Sequence, residues 1–261
     1  MSRIVGILNV TPDSFAEAAP TTDAATVLDR AAAMIADGAD VIDVGAESTR
    51  PGATPLSPAQ EWERLAPCLP PLVTLARTRG VLVSLDTRHP ETARRGIEAG
   101  VHWINDVGGA PDAMARVVAP SQLRLVVMHS LAIPADPARR LPPDADPVAE
   151  VIAFLRERID TLARAGIPRE RLVLDPGFGF GKSPAQQIAM LARAAEFRAL
   201  GCPVLVGHSR KSFLSLFTDA PAPERADVTL SLSGVLMALG VDYLRVHDVA
   251  RHARLREALS R

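Results

Sequence analysis

The stretch from Leu172 to Ser183 combines residue types that could bind or transform a ligand. A short apolar run ends in a carboxylate, Asp175, which is followed by a proline, alternating glycines and Lys182. A glycine-rich turn before Gly-Lys-Ser suggests a phosphate-binding loop, but the position five residues before Gly181 is Pro176 instead of glycine. The glycines also miss the dinucleotide-binding spacing. We therefore exclude both nucleotide motifs and predict a buried strand that ends in a functional carboxylate, with helix capping by Asp175 as the alternative.

The lysines stand out against the other basic residues. Lys182 and Lys211 are the only lysines among the 29 lysine and arginine residues of the chain. Arginine cannot replace a compact, strongly hydrated ammonium where the geometry is tight. We therefore predict a functional role for Lys211 and extend the same hypothesis to Lys182.

Composition argues against several classes of protein. The chain has 261 residues, of which 48% are hydrophobic, and a formal net charge of -1. This balance argues against nucleic acid and anionic membranes as partners and favours a small-molecule substrate. Cys68 and Cys202 are too few for a disulfide framework and lack zinc-ligand spacing, which favours a reducing, cytoplasmic location. The apolar runs are too short for a membrane span or a signal sequence.

Short apolar runs alternate with longer amphipathic stretches along the chain. The runs predict about eight strands, at residues 4–8, 41–44, 81–85, 103–104, 125–128, 172–174, 204–206 and 243–246. The amphipathic stretches predict helices at 24–36, 58–78, 90–99, 148–165, 184–200 and 225–239. Such alternation is typical of an α/β protein with a single (β/α)8 TIM barrel over residues 1–261, and a doubly wound open sheet is the alternative.

Polar side chains recur at the C-terminal ends of the predicted strands, which a barrel would gather at one rim. They are Asn9, Asp43, Asp86, Asn105, Asp106, His129, Asp175, residues 208–211, Arg245 and His247. Any one of them alone is explained as a helix cap or a satisfied structural residue. Their recurrence at almost every strand end instead predicts a shared binding site.

Several separated stretches combine glycine, asparagine and charged residues in a distinctive way. They are residues 6–15, 42–52, 83–87, 105–108, 175–182 and 209–213, closed by residues 245–248. In order and spacing these stretches resemble the dihydropteroate synthase family, over nearly the whole chain. The resemblance implies a (β/α)8 barrel and a transferase of folate synthesis. Such an enzyme joins 6-hydroxymethyl-7,8-dihydropterin diphosphate to 4-aminobenzoate and releases diphosphate.

The resemblance implies a role for each matched residue. Those implied for the pterin ring are Asp86, Asn105, Asp175, Lys211 and Arg245. Those implied for the diphosphate are Asn9, Arg50, Arg245 and His247, with Asn9 also matching a ligand of the implied cofactor, Mg²⁺. Those implied for 4-aminobenzoate are Thr49, Arg50, Pro51, Phe180, Ser209 and Lys211. The implied catalytic residues are Asp86, Lys211, Arg245, His247 and Glu17. A homodimer through the last helices is implied as well.

The chain departs from the family pattern in its first long loop. Residues 16–19 are Ala-Glu-Ala-Ala where the family usually has Ser-Asp-Gly-Gly. We predict that this loop still closes over the substrates and that Glu17 takes part in catalysis. The alternative is that Glu17 is a solvated residue without a role. Two other functions stay open, a non-catalytic or altered-substrate pterin-binding paralogue and a methyltetrahydrofolate-dependent methyltransferase.

Overall fold

The computed structural model describes residues 1–10, 23–50 and 52–260, and within these ranges eight parallel strands form one sheet. The strands are β1 (Arg3–Asn9), β2 (Val41–Gly45), β3 (Leu82–Asp86), β4 (Trp103–Asp106), β5 (Arg124–Met128), β6 (Leu172–Asp175), β7 (Leu205–Val206) and β8 (Tyr243–Val246). Their order in the sheet is β6-β5-β4-β3-β2-β1-β8-β7, and a parallel bridge between Leu174 and Val204 connects its two edges. The sheet is a nearly closed (β/α)8 barrel. The predicted fold is confirmed, and the doubly wound alternative is wrong.

Helices follow the strands and cover the outside of the barrel. In the described ranges they are α1 (Ala24–Ala36), α2 (Pro58–Leu65), α3 (Leu69–Thr78), α4 (Pro90–Ala99), α5 (Asp112–Val118), α6 (Pro147–Arg164), α7 (Pro184–Ala192), α8 (Ala226–Ala238) and α9 (Val249–Ala258). None of them is long and apolar enough to cross a lipid bilayer.

The helix predictions differ from the structure at three points. The stretch 58–78 forms two helices, because Pro70 and Pro71 lack the N–H that a helix interior needs and so stand in the first turn of α3. The stretch 184–200 is α-helical only to Ala192 and continues as a 3-10 helix over Ala194–Leu200. Helices α5 and α9 were not predicted, since α5 has only 7 residues and α9 buries only Val249 and His252.

The barrel interior has two layers of side chains, because alternate residues of each strand point inward. The lower layer, here called the apolar layer, consists of Val5, Val41, Trp103, Val126, Val173, Leu205 and Tyr243. Two residues further along their strands, the same inward direction belongs to Asp43, Asn105, Asp175 and Arg245. These polar side chains, together with Asp86 of β3, form what we call the charged layer. The fold thus gathers the polar strand ends at one mouth of the barrel.

Candidate active site

The centre of the charged layer is the guanidinium group of Arg245. Its Nε donates a hydrogen bond to Oδ2 of Asp43 at 2.6 Å, and its Nη2 donates one to Oδ2 of Asp86 at 2.7 Å. Both bonds are charge-assisted and fix the plane of the guanidinium. Oδ2 of Asp43 also accepts a bond from Nδ2 of Asn105 at 3.0 Å. This network joins β8 to β2, β3 and β4 across the barrel mouth.

Asp43 is almost completely buried, and its second oxygen, Oδ1, has no hydrogen-bond partner within the described residues. We assigned Asp43 no role from the sequence, although it stood among the polar strand ends. Asp43 lies two residues after Val41 on the same strand, so both side chains point to the same face of the sheet. This spacing is the signal that could have identified it. Asp43 is a positioning residue, since it holds both Arg245 and Asn105.

Asp175 ends β6 opposite this network. Its Oδ1 accepts the N–H of Gly177 at 2.7 Å, which orients the carboxylate at the start of the following loop. Burial raises the pKa of Asp175, while the Gly177 N–H and then the positive charges of Lys211, Lys182 and Arg245 lower it. Burial likewise raises the pKa of Asp86, and the adjacent guanidinium opposes that rise. The mouth of the barrel therefore combines buried carboxylates with the cations that compensate them.

Lys211 approaches the same space from the loop after β7. Its Nζ lies 4.4 Å from the centroid of the Phe180 ring, over the ring face. The lysine stem passes close to Gly179, where an added Cβ would lie 3.1 Å from Lys211 Cδ. Burial and the charge of Arg245 lower the pKa of Lys211 to about 8, against the opposing effect of Asp175. The geometry suits an ammonium that faces a flat ligand between the loop after β6 and the loop after β7.

His247, just after β8, is surrounded by cations. Its Nδ1 lies 2.9 Å from the hydroxyl of Ser209. Burial, followed by the charges of Arg210, Arg245 and Arg50 among others, lowers the pKa of His247 to about 3. The imidazole is therefore neutral at pH 7 in the free protein. A bound anion would offset the surrounding positive charge and raise that pKa.

The loop after β2 is held to the loop after β3 by an ion pair. Arg88 donates through Nε and Nη2 to the two carboxylate oxygens of Glu47 at 2.8 and 2.9 Å. Glu47 also accepts the N–H of Leu56 at 2.9 Å, so this residue ties both ends of a segment that carries Thr49 and Arg50. Sequence reasoning missed the pair, because the two residues are 41 positions apart and neither position predicts the other.

The sequence model of the family described as "Pterin binding enzyme" matches residues 5–247. A dihydropteroate synthase of Synechocystis is 36% identical over 256 residues, which cover 97% of this chain and 87% of that protein. The chain belongs to the dihydropteroate synthase family. A probable bifunctional folylpolyglutamate synthase/dihydropteroate synthase of Haloferax volcanii is 42% identical over 95% of the chain. The chain spans only 29% of the length of that relative.

Solved structures of the dihydropteroate synthase family share the fold. The enzyme from Anaplasma phagocytophilum, with bound 6-hydroxymethylpterin-monophosphate, superposes with a TM-score of 0.91 at 40% identity, covering 99% of this chain and 98% of that one. The enzyme from Thermus thermophilus, in complex with 4-aminobenzoate, gives a TM-score of 0.84 at 41% identity, covering 99% of this chain and 92% of that one. These relatives hold a pterin and 4-aminobenzoate, the two chemical classes of ligand that the family resemblance implied.

The structure brings most of the predicted site residues to one mouth of the barrel. Those around Arg245 and Lys211 are Asp86, Asn105, Asp175, Phe180, Ser209 and His247. Asn9 ends β1 in register with Gly45, which is itself in register with Asp86. Arg50 is exposed on the loop after β2, where its charge acts on His247 and Lys211. Thr49 precedes it, and its carbonyl accepts the N–H of Ala135 at 3.1 Å. Glu17 and Pro51 lie outside the described residues, so their roles stay predictions.

Proposed function

We propose that this chain catalyses the joining of 6-hydroxymethyl-7,8-dihydropterin diphosphate to 4-aminobenzoate, with release of diphosphate. The observation that carries the proposal is the paired arrangement of Asp43, Arg245 and Asp86 beside Asn105 and Asp175. These groups bring carboxylate acceptors together with guanidinium and amide donors at the C-terminal ends of the strands, which suits the heterocyclic edge of a pterin.

Pterin binding in this proposal depends on Asp175. The carboxylate accepts the ring N–H groups at N2 and N3, while Asn105 provides a further amide contact from β4. Lys211 and Arg245 lie against the ring from the β7 and β8 sides. Because the carboxylate is buried and its Oδ1 is already oriented by Gly177, little ordering free energy is lost when the ring binds.

The reaction is a substitution at the pterin methylene carbon. The C–O bond to diphosphate breaks, the amine nitrogen of 4-aminobenzoate forms the new C–N bond, and the nitrogen then loses a proton. Arg50, Arg245 and His247 stabilise the departing diphosphate, and the carboxylates of Asp86 and Asp175 favour the cation left on the pterin. The amine is neutral at pH 7, so holding it beside the cation supplies most of the remaining acceleration.

Magnesium fits this site as a cofactor that the substrate helps to bind. Within the described residues no group of three or more His, Cys, Asp or Glu side chains could hold a metal ion. The side-chain oxygen of Asn9 is a suitable hard ligand, and Mg²⁺ commonly takes its other oxygens from phosphates and water. When bound, the ion neutralises charge on the diphosphate. We expect removal of Mg²⁺ to weaken binding of the pterin diphosphate, as measured by calorimetry, and the loss to be smaller in Asn9→Ala.

Release of diphosphate tests the proposed activity. The protein is mixed with the pterin diphosphate and 4-aminobenzoate, and a matched reaction omits 4-aminobenzoate. We expect release only in the complete mixture, together with formation of 7,8-dihydropteroate. Pterin binding without release would indicate a non-catalytic paralogue. Methyl transfer from methyltetrahydrofolate without release would indicate the methyltransferase alternative.

A homodimer through the last helices is supported by apolar surface near α8. Val235 of α8 is 45% exposed, and Leu216 and Phe217 of the preceding segment are 56% and 52% exposed. Leu232 of the same helix and Leu239, directly after its last residue, are only half-buried. We expect Val235→Asp to shift the sedimentation mass from two copies toward one. A monomeric wild-type protein would contradict this assembly.

The buried, free thiols of Cys68 and Cys202 support a cytoplasmic location. The strands that close one barrel across the described residues support a single domain over residues 1–261. Fractionation of the source cells and limited proteolysis of the purified protein test these two proposals.

A further inference from the structure

The two lysines that the sequence retains lie in different surroundings. Lys211 faces the mouth of the barrel, whereas the side chain of Lys182 turns into the loop after β6 and is only 4% exposed. Its Nζ donates to the carbonyl of His129 at 3.0 Å and to those of Pro176 and Gly177 at 2.9 Å each. An ammonium has three donors, and here all of them are used by backbone carbonyls. Lys182 therefore has no donor left for a substrate.

This arrangement fits lysine and excludes arginine. Three carbonyls that converge on one point match a compact ammonium, and a planar guanidinium cannot place its forked donors in that geometry. The space around the ammonium is also closed. A Cβ added at Gly177, which has a φ of +72°, would lie 3.0 Å from Lys182 Nζ and 1.9 Å from the carbonyl oxygen of His129. The loops after β5 and β6 are therefore in close contact around this one charge.

The charge of Lys182 also acts on Asp175. Burial raises the pKa of that carboxyl, and Lys182 is one of the three cations that oppose the rise, with Lys211 from the loop after β7 and Arg245 from β8. Arg245 is shared with the carboxylates of β2 and β3. The neighbouring His129, from the loop after β5, carries no charge at pH 7, because burial and Lys182 lower its pKa to about 3. Lys182 thus compensates Asp175 from behind the site, where a ligand does not reach it.

We propose that Lys182 is a positioning residue of the pterin site. Its ammonium holds the loop after β6 against the loop after β5 and keeps the carboxylate of Asp175 ionised for the ligand, without contact to the ligand itself. This inference rests on the proposed function, because it assigns pterin recognition to Asp175.

The pH dependence of ligand affinity separates this role from a purely structural one. The probe is 6-hydroxymethylpterin, which lacks the phosphate groups that would titrate near pH 6. Affinity is measured by calorimetry from pH 5 to 8 for wild type, Lys182→Gln, Lys182→Met and Gln187→Met. Lys182→Gln keeps N–H donors for the carbonyls but removes the charge. Gln187→Met is the matched control, because Nε2 of Gln187 donates to the backbone oxygen of Lys182 at 3.1 Å and carries no charge.

Wild-type affinity should fall as the pH falls through the pKa of Asp175, since the protonated acid loses an acceptor. Asp86, whose pKa burial raises to about 7, titrates in the same pH range and is common to all four proteins. Without the positive charge that pKa is higher, so in both Lys182 variants the fall should occur at a pH higher by about half a unit or more. Below the midpoint, this corresponds to about a threefold or greater further loss of affinity. Gln187→Met should lower affinity without moving the midpoint. Midpoints of the Lys182 variants equal to that of Gln187→Met would overturn the proposal.

A second measurement needs no substitution of Lys182. Burial lowers the pKa of Lys182 to about 7, and because electrostatic coupling is reciprocal, the carboxylate of Asp175 opposes that fall. With lysine labelled with ¹³C at Cε alone, the two lysines of the chain give one signal each, and Lys211→Arg identifies them. Asp175→Asn should lower the titration midpoint of the Lys182 signal, and an unchanged midpoint would contradict the coupling. A wild-type protein that binds no 6-hydroxymethylpterin would instead refute the proposed function, whatever the lysine titration gives.

Discussion

The apolar layer and the charged layer of the barrel differ in chemistry although the same strands build them. In the apolar layer, the ring of Trp103 packs edge-on against Tyr243 with centroids 4.9 Å apart. One pleat repeat further on, Asn105 and Arg245 follow these two residues and bind Asp43. The strand geometry is the same at both levels. The lower layer therefore stabilises the barrel through packing, and the upper layer holds buried charge in an arrangement that suits a ligand.

This comparison predicts that the two layers respond oppositely to substitution. Changes in the apolar layer should lower the free energy of unfolding and leave ligand affinity of the folded protein intact. Changes in the charged layer should mainly lower ligand affinity, because among the described residues Oδ1 of Asp43 has no hydrogen-bond partner, and a buried polar atom without a partner does not stabilise the fold.

The largest effect is expected in the apolar layer, for Trp103→Ala. Removal of this buried ring leaves a cavity against Tyr243 and should lower the free energy of unfolding by about 3–5 kcal/mol, as measured by urea denaturation. Trp103→Phe, which keeps an aromatic ring, is the control and should lose less. Pterin affinity should stay within about threefold of wild type at temperatures where the variant is folded. A parallel fall in affinity would show that the layers are coupled.

In the charged layer, Asp175→Ala should have the largest effect on binding. Ring N–H groups of the pterin would be buried without acceptors, at about 1–3 kcal/mol each, so affinity should fall several hundredfold or more. Calorimetry measures the affinity, and a thermal melt shows whether the fold is retained. Unchanged pterin binding would remove Asp175 from the site.

The strands, and the placement of the main candidate residues at strand ends, were predictable from the sequence because both depend on local pattern. Each strand is a short apolar run, and Asp175 and Asn105 follow such runs directly. What could not be predicted was the pairing between distant positions. Asp43 and Arg245 are 202 positions apart in the sequence. They meet because β2 and β8 are the two neighbours of β1 in the sheet, and both side chains point into the barrel. The surroundings of Lys182 depend in the same way on the contact between two loops.

Among smaller effects, Lys211→Arg tests a residue that approaches the charged layer from the loop after β7. A guanidinium keeps the charge but is larger and planar, and the stem of Lys211 passes close to Gly179. Turnover should fall at least about tenfold, or about 1.4 kcal/mol in transition-state stabilisation, in the diphosphate-release assay. Retained turnover within a factor of about two would mean that charge alone is needed there.

The smallest effect concerns Arg124, a charged residue that borders the apolar layer from the end opposite the charged layer. Nη1 of Arg124 donates to the hydroxyl of Tyr243 at 2.9 Å, and its guanidinium lies over the ring of Trp103 at 5.9 Å. We expect Arg124→Met to lower the free energy of unfolding by about 1 kcal/mol, because a hydrogen bond and a weak cation–π contact are lost. Turnover should not change.

A double-mutant cycle with Tyr243→Phe separates the two contributions of Arg124, because this second substitution removes only the hydroxyl. If the hydrogen bond dominates, the coupling energy from urea denaturation should be about 0.5–1.5 kcal/mol, and the double variant should cost little more than either single one. A coupling energy near zero would assign the effect to the contact with Trp103. A change in turnover in any of these variants would contradict the separation of the layers, since Tyr243 lies two residues before Arg245 on the same strand.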